Sequence, residues 1–246
     1  SKKEVSTVSK NTQTLYQHGT LALLVPGLLA GTQTIGELMH HGDTGIGTLT
    51  GLDGELIMRA GQVYQVNADG HVRIVGPEEQ VPFANVHYQD DRAVGKITDQ
   101  NFAGIKATIL QAMGTSNVFY AVRLVGEFDQ VQTRAVRGTQ QPPFGTLAET
   151  AKAQSVFNAT DIAGTLSGYY SPAIYGGATS PGFHLHFLDD EPTFGGHVLD
   201  AKVRRATLYL QEFTDLQLHL PTGNEQFRQE QFNTDEVLRD INQAEN

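Results

Sequence analysis

The chain has 246 residues, carries 27 acidic against 17 basic residues for a formal charge of −10, and contains no cysteine. That length is enough for one large or two modest domains with cores of their own. The missing cysteines exclude disulfides, iron–sulfur clusters, thiolate nucleophiles and cysteine-ligated zinc, and the acidic balance argues against a surface that tracks nucleic-acid phosphates.

Taken from its start, the sequence reads as a polar, frayed segment over residues 1–14, then short apolar clusters alternating with glycine over 15–39. The longest greasy run, 21–30, is interrupted by Pro26 and Gly27, so no membrane-spanning helix is expected. The opening Ser-Lys-Lys-Glu-Val-Ser leads into no hydrophobic leader, which makes a cytoplasmic location the expectation, with a secreted form that has lost its leader left open. His18, His40 and His41 have no companions at ligand spacing and read as packing or surface residues. Residues 42–75 alternate Thr, Leu, Ile and Val between Leu-Asp-Gly and Ala-Asp-Gly turns, the pattern of a β-meander. Glu55 heads one of its strands and, taken alone, reads as a solvated turn acid.

Residues 77–101 read as loop with one short strand, and FAGIKATILQAM after Asn101 as a helix to Met113. Residues 117–137 alternate strongly and are expected to form two paired strands joined around Gly126–Gln130. Arg123, Arg134 and Arg137 are candidates to hold a carboxylate, and spacing does not choose among them. Pro142-Pro143-Phe144-Gly145 is the clearest linker, which suggests an amino-terminal mixed-sheet domain over 1–145 and a carboxyl-terminal β domain over 146–246. A helix with a threonine cap is expected at 146–156, Tyr169, Tyr170 and Tyr175 as a pocket rim or a core edge, a strand pair at 206–221 with His219 solvent-facing, and a short helix over 234–243 in the polar tail.

The densest chemistry lies in residues 182–199, GFHLHFLDDEPTFGGHVL. In a strand, His184 and His186 project from one side with α-carbons roughly 6–7 Å apart. A turn centred near Glu191 and Pro192 places His197 opposite His186, about 5 Å across the ladder, so three imidazoles converge on one cation. Three neutral ligands suit zinc, iron, nickel or copper and leave an open position, the mark of a catalytic site. At a fixed offset of 136 residues (185 minus 49), Leu49, Leu52, Asp53 and Glu55 fall on Leu185, Leu188, Asp189 and Glu191, which suggests two related β-layers with the site between or beside them.

The segments LDGELI, QTRAVR with PPFGTLAE, and GFHLHFLDD with GGHVLD resemble the α-acetolactate decarboxylases, and the similarity spans nearly the whole chain. The resemblance implies an α+β, β-rich fold of two domains on mixed and antiparallel sheets with few helices. It implies conversion of (S)-2-acetolactate to (R)-acetoin and carbon dioxide, a zinc ion, and commonly a homodimer. Position by position it implies His184, His186 and His197 as zinc ligands, Glu55 as an acid, Arg134 as the active-site arginine, Thr48 as a pocket residue, and Glu245, with Glu236 as the other candidate, as an acid from the tail. Such a cation would grip the hydroxy-ketone and support an enediolate that is then protonated on one face, with Arg134 orienting the substrate and Glu55 and Glu245 handling the proton. Beside this stand a zinc-hydroxide hydrolase or hydratase, which would activate water and release no carbon dioxide, and a non-catalytic β-module, which would retain no stoichiometric metal.

Overall fold

Period-two alternation dominates the sequence, and strands dominate the fold. The computed structural model describes residues 10–245, with the side chain of Glu245 outside that description, as are residues 1–9 and 246, so the expectation for the start of the chain lies largely outside the described residues. The strands are β1 (Thr14–His18), β2 (Gln33–Thr34), β3 (Thr44–Leu49), β4 (Asp53–Arg59), β5 (Gln62–Val66), β6 (Val72–Ile74), β7 (Gln80–Val81), β8 (Phe83–His87), β9 (Arg92–Asn101), β10 (Phe119–Val136), β11 (Gln154–Ser171), β12 (Gly182–Asp189), β13 (Gly195–Phe213) and β14 (Asp215–His219). The helices are α1 (Leu21–Leu24), α2 (Ile35–Leu38), α3 (Phe102–Met113), α4 (Leu147–Ala151), α5 (Glu225–Gln229) and α6 (Thr234–Glu245).

One sheet has the order β14-β1-β8-β3-β4-β5-β6, antiparallel except where β14 runs parallel to β1. A second has the order β10-β11-β12-β13-β9, and β10 also pairs with β13, so that β10 to β13 close a ring with β9 outside it, while β2 and β7 form a small two-stranded sheet. The fold is therefore β-rich on mixed and antiparallel sheets, as expected. The division at residue 145 does not coincide with the division between sheets: β9 and β10 belong to the second, and β14 returns to the first. The reason is that Pro142–Gly145 connects β10 to α4 and β11, within the span of the second sheet.

Local signals were followed where caps reinforce them. Asn101 accepts from Gly104 N at the start of α3, and Gly114, with φ of 72°, closes it in the left-handed conformation. Thr146 and Glu149 form a capping box on α4, which stops at Ala151, short of the expected 156, because β11 begins at Gln154. Residues 119–136 form one unbroken strand and not a hairpin, since β10 pairs with β11 on one side and β13 on the other along nearly its whole length. Residues 77–101 hold three strands, and β13 and β14 do not pair with each other: β14 crosses to the edge of the first sheet. The offset duplication fails as well, because Glu55 lies inside β4 whereas Glu191 lies in the turn after β12.

The two sheets face each other across apolar contacts: Leu15 and Ile46 meet Phe119, Ala121 and Phe213, and Ile57 and Val66 meet Ala135 and Leu188. Each such large side chain removed from water contributes roughly 1.5–3 kcal/mol. Tyr169 is buried in this layer and Tyr170 in the second core, whereas Tyr175 is exposed. His87 sits in the same layer with Nδ1 2.7 Å from the Tyr169 hydroxyl. On the outer side of the first sheet, His18 is buried with Nδ1 2.8 Å from Nδ1 of His219, which is otherwise exposed, and His41 stacks on Tyr16. Burial holds the imidazoles of His87 and His18 down to about 4. The unfolded chain takes up these protons near pH 6.5, so their contribution to stability is complete above that value and is lost as pH falls toward 4. The unfolding free energy is expected to drop by about 1.4 kcal/mol per pH unit for each group, and His87→Gln is expected to flatten that slope in denaturant titrations between pH 6.5 and 5.

Candidate metal centre and active site

The β12 sequence GFHLHFLD sorts its side chains by alternation. Leu185 and Phe187 enter the core of the second sheet, so His184 and His186 must face the other way, toward the first sheet. The return strand is set by Asp189, whose carboxylate accepts from Thr193 N (2.7 Å), Phe194 N (2.8 Å) and Thr193 Oγ1 (2.8 Å). That turn places His197 directly opposite His186 in the ladder, as the sequence predicts. One ligand atom from each of His184, His186 and His197 lies within 4.8 Å of the others.

The protonation state of the cluster suits a cation. Burial holds all three imidazoles below their ordinary range: His184 to about 3, with Arg134 as the second cause, and His186 and His197 well below it. His186 Nδ1 lies 2.8 Å from Leu56 O and donates to it, which leaves Nε2 as a lone pair. This Nε2 is buried, has no hydrogen-bond partner, and stands 3.5 Å from Glu55 Oε2. Two lone-pair groups facing each other in a dry site repel unless a cation or proton lies between them. The donor set therefore fits a bound divalent metal, with a second-sphere hydrogen bond fixing one ligand's tautomer.

Glu55 is supplied by β4 of the first sheet and is 8% exposed, so the bland reading of a solvated turn acid does not hold. Arg134 is paired with His197 across β10 and β13, which puts its side chain on the metal face. It is 8% exposed and donates through Nη1 to Gln154 Oε1 (3.1 Å) and through Nη2 to Ala244 O (2.7 Å). The other two arginines are elsewhere: Arg137 is exposed and pairs with Asp69, and Arg123 forms a two-point ion pair with Asp91. Thr48 lines the cavity, its hydroxyl donating to Gly54 O at 2.8 Å, which leaves it able to accept from a ligand. Glu236 is exposed in the first turn of α6, whereas the last turn reaches the cavity through Ala244; the Glu245 side chain lies outside the described residues.

Leu21, Leu24, Leu52, Phe83, Val136 and Leu147 also line the cavity. The pocket thus combines charged and apolar lining, as a small anion with alkyl groups requires.

A family model described as alpha-acetolactate decarboxylase matches residues 15–234. The chain belongs to the alpha-acetolactate decarboxylase family. The alpha-acetolactate decarboxylase of Bacillus licheniformis is 32% identical to it over 99% of this chain and 96% of the relative, and that of Streptococcus thermophilus is 33% identical over 94% and 98%. Among solved structures, a Staphylococcus aureus protein described as similar to alpha-acetolactate decarboxylase superposes with a TM-score of 0.90 at 37% identity, covering 94% of this chain and 99% of that one. The alpha-acetolactate decarboxylase of Bacillus subtilis superposes equally well, at 0.90 and 31% identity, with 94% and 99% covered. Membership makes this chain an enzyme, one that decarboxylates acetolactate.

Within this decarboxylase, sequence reasoning missed Gln154 and the carbonyl of Ala244 on Arg134, and the apolar wall given by α1 and α4. Their only local signals were the Thr20 and Thr146 caps and the apolar positions that follow them. Gly196, beside His197, has φ of 128°, and a Cβ there would lie 2.6 Å from Arg134 O. Gly196→Ala is accordingly expected to cost about 1–3 kcal/mol of stability and to weaken metal binding by displacing His197 from Arg134, read by thermal unfolding and by competition with a chromogenic chelator.

Proposed function

We propose that the chain converts (S)-2-acetolactate to (R)-acetoin and carbon dioxide with zinc held by His184, His186 and His197, and that it works as a homodimer. The observation that carries this reading is the buried lone pair of His186 Nε2 facing Glu55 Oε2 at 3.5 Å, within a tripod of neutral imidazoles and beside Arg134. Zinc at such a site supplies Lewis-acid polarisation of substrate oxygens.

The remaining chemistry belongs to the side chains. Arg134, cationic and almost enclosed, draws in the substrate carboxylate and fixes which end of the molecule faces it. The apolar wall of Leu21, Leu24 and Leu147 receives the methyl groups and keeps water from the reacting carbons. As carbon dioxide departs, the electron pair of the broken C–C bond passes to the ketone oxygen and leaves an enediolate. One proton must then reach the former carboxyl-bearing carbon from one face to give a single enantiomer. Glu55, on β4, and Glu245, at the end of the helix that reaches the pocket, form the proposed proton-handling pair. Thr48 accepts from the substrate hydroxyl.

Carboxyl-labelled acetolactate tests this directly. Labelled carbon dioxide and (R)-acetoin are expected in equal amounts, activity is expected to vanish on dialysis against a chelator, and one equivalent of zinc is expected to restore it. Full activity of metal-free protein would overturn the proposal. The homodimer rests on the family resemblance alone and is read by light scattering.

A further inference from the structure

The guanidinium of Arg134 is held at both terminal nitrogens. Nη1 donates to the amide oxygen of Gln154 at 3.1 Å, Nη2 donates to the Ala244 carbonyl at 2.7 Å, and Nε is buried with no hydrogen-bond partner. Two bonds at separate nitrogens fix the plane of a rigid fork; one bond leaves it free to swing about that contact. Gln154 is the first residue of β11, paired with Val136, two residues beyond Arg134 on β10. It is thus a diagonal neighbour of Arg134, which itself pairs with Val156, on the same face of the ladder. The residue as a whole is exposed, so its side chain contributes little to the core. The chemistry of the partner matters too. An amide oxygen orients a guanidinium without cancelling its charge, whereas a carboxylate at this position would compete with an anionic ligand.

We propose that Gln154 is a positioning residue of the reaction, fixing the plane of the Arg134 guanidinium and so the way its charge faces the substrate carboxylate. The proposal rests on the reading of Arg134 as the carboxylate-orienting group. Gln154 itself touches neither substrate nor metal, and acts only through Arg134.

Zinc-loaded Gln154→Met tests it. KM for acetolactate is expected to rise about tenfold or more, the worth of one hydrogen bond to a charged group, with kcat changed much less. In calorimetry, 2-hydroxyisobutyrate, an unreactive hydroxy acid, is expected to weaken by the same factor while acetoin, which has no carboxylate, binds as to wild type. A structural defect would weaken both ligands alike. Equal losses, or an affinity for the hydroxy acid within about twofold of wild type, would overturn the proposal. If Gln154→Met loses zinc or melts early, Gln154→Asn, polar but one methylene short of Nη1, is read by the same criteria. Failure of the wild type to turn over acetolactate would count against the functional reading, and the two calorimetric titrations would still decide the role of Gln154.

Discussion

Glu55→Gln is expected to lower turnover by about 10²- to 10⁴-fold, the usual contribution of a positioned general acid or base, while zinc stoichiometry stays at one per chain. Glu55 is 8% exposed on β4, and its Oε2 lies 3.5 Å from the His186 Nε2 lone pair, beside the tripod. Glutamine fills the same space and keeps an oxygen acceptor, so packing and metal retention are preserved. What is lost is the exchangeable carboxyl proton. The enediolate left by departing carbon dioxide would then be protonated by solvent, from either face. The enantiomeric purity of the acetoin is expected to fall together with the rate, and chiral chromatography of the product reads this. A variant with wild-type turnover and purity would remove Glu55 from the proton-transfer step.

The second large effect is expected for His184→Ala. His184 is the least enclosed of the tripod by surface exposure, so its truncation leaves the apolar core of β12 in place. Two imidazoles remain where three were held within 4.8 Å, too few for a stable zinc site in a protein that contributes no fourth ligand from cysteine. Metal content by mass spectrometry is expected to fall to background. Activity should drop roughly 10³-fold or more, since Lewis-acid stabilisation supplies several kcal/mol and each 1.4 kcal/mol is a factor of ten. Circular dichroism is expected to be unchanged. Acetoin formation by this variant in the absence of metal would be incompatible with the mechanism.

The tripod was legible because everything that makes it is local. Alternation set the faces of His184 and His186, and the turn formers between Asp189 and Gly195 set the register that brings His197 across. The caps of α3 and α4 were legible for the same reason. Strand partners were not. Residues 119–136 carry a glycine and polar residues that imitate a turn, yet they continue as one strand because two long strands flank them, and β14 leaves its sequence neighbour to pair with β1 at the far edge of the other sheet.

By itself the sequence determined which residues could ligate a metal and that they share a face, since both follow from a two-residue period and one turn. Only the tertiary structure decided what meets them. The approach of β4 to β12 puts Glu55 opposite His186, the pairing of β10 with β13 selects Arg134 over Arg137, and the docking of α6 brings a tail carbonyl to that arginine. Contacts between layers depend on how whole sheets and helices stack, and a periodicity within one strand holds no information about the strand that will lie across from it.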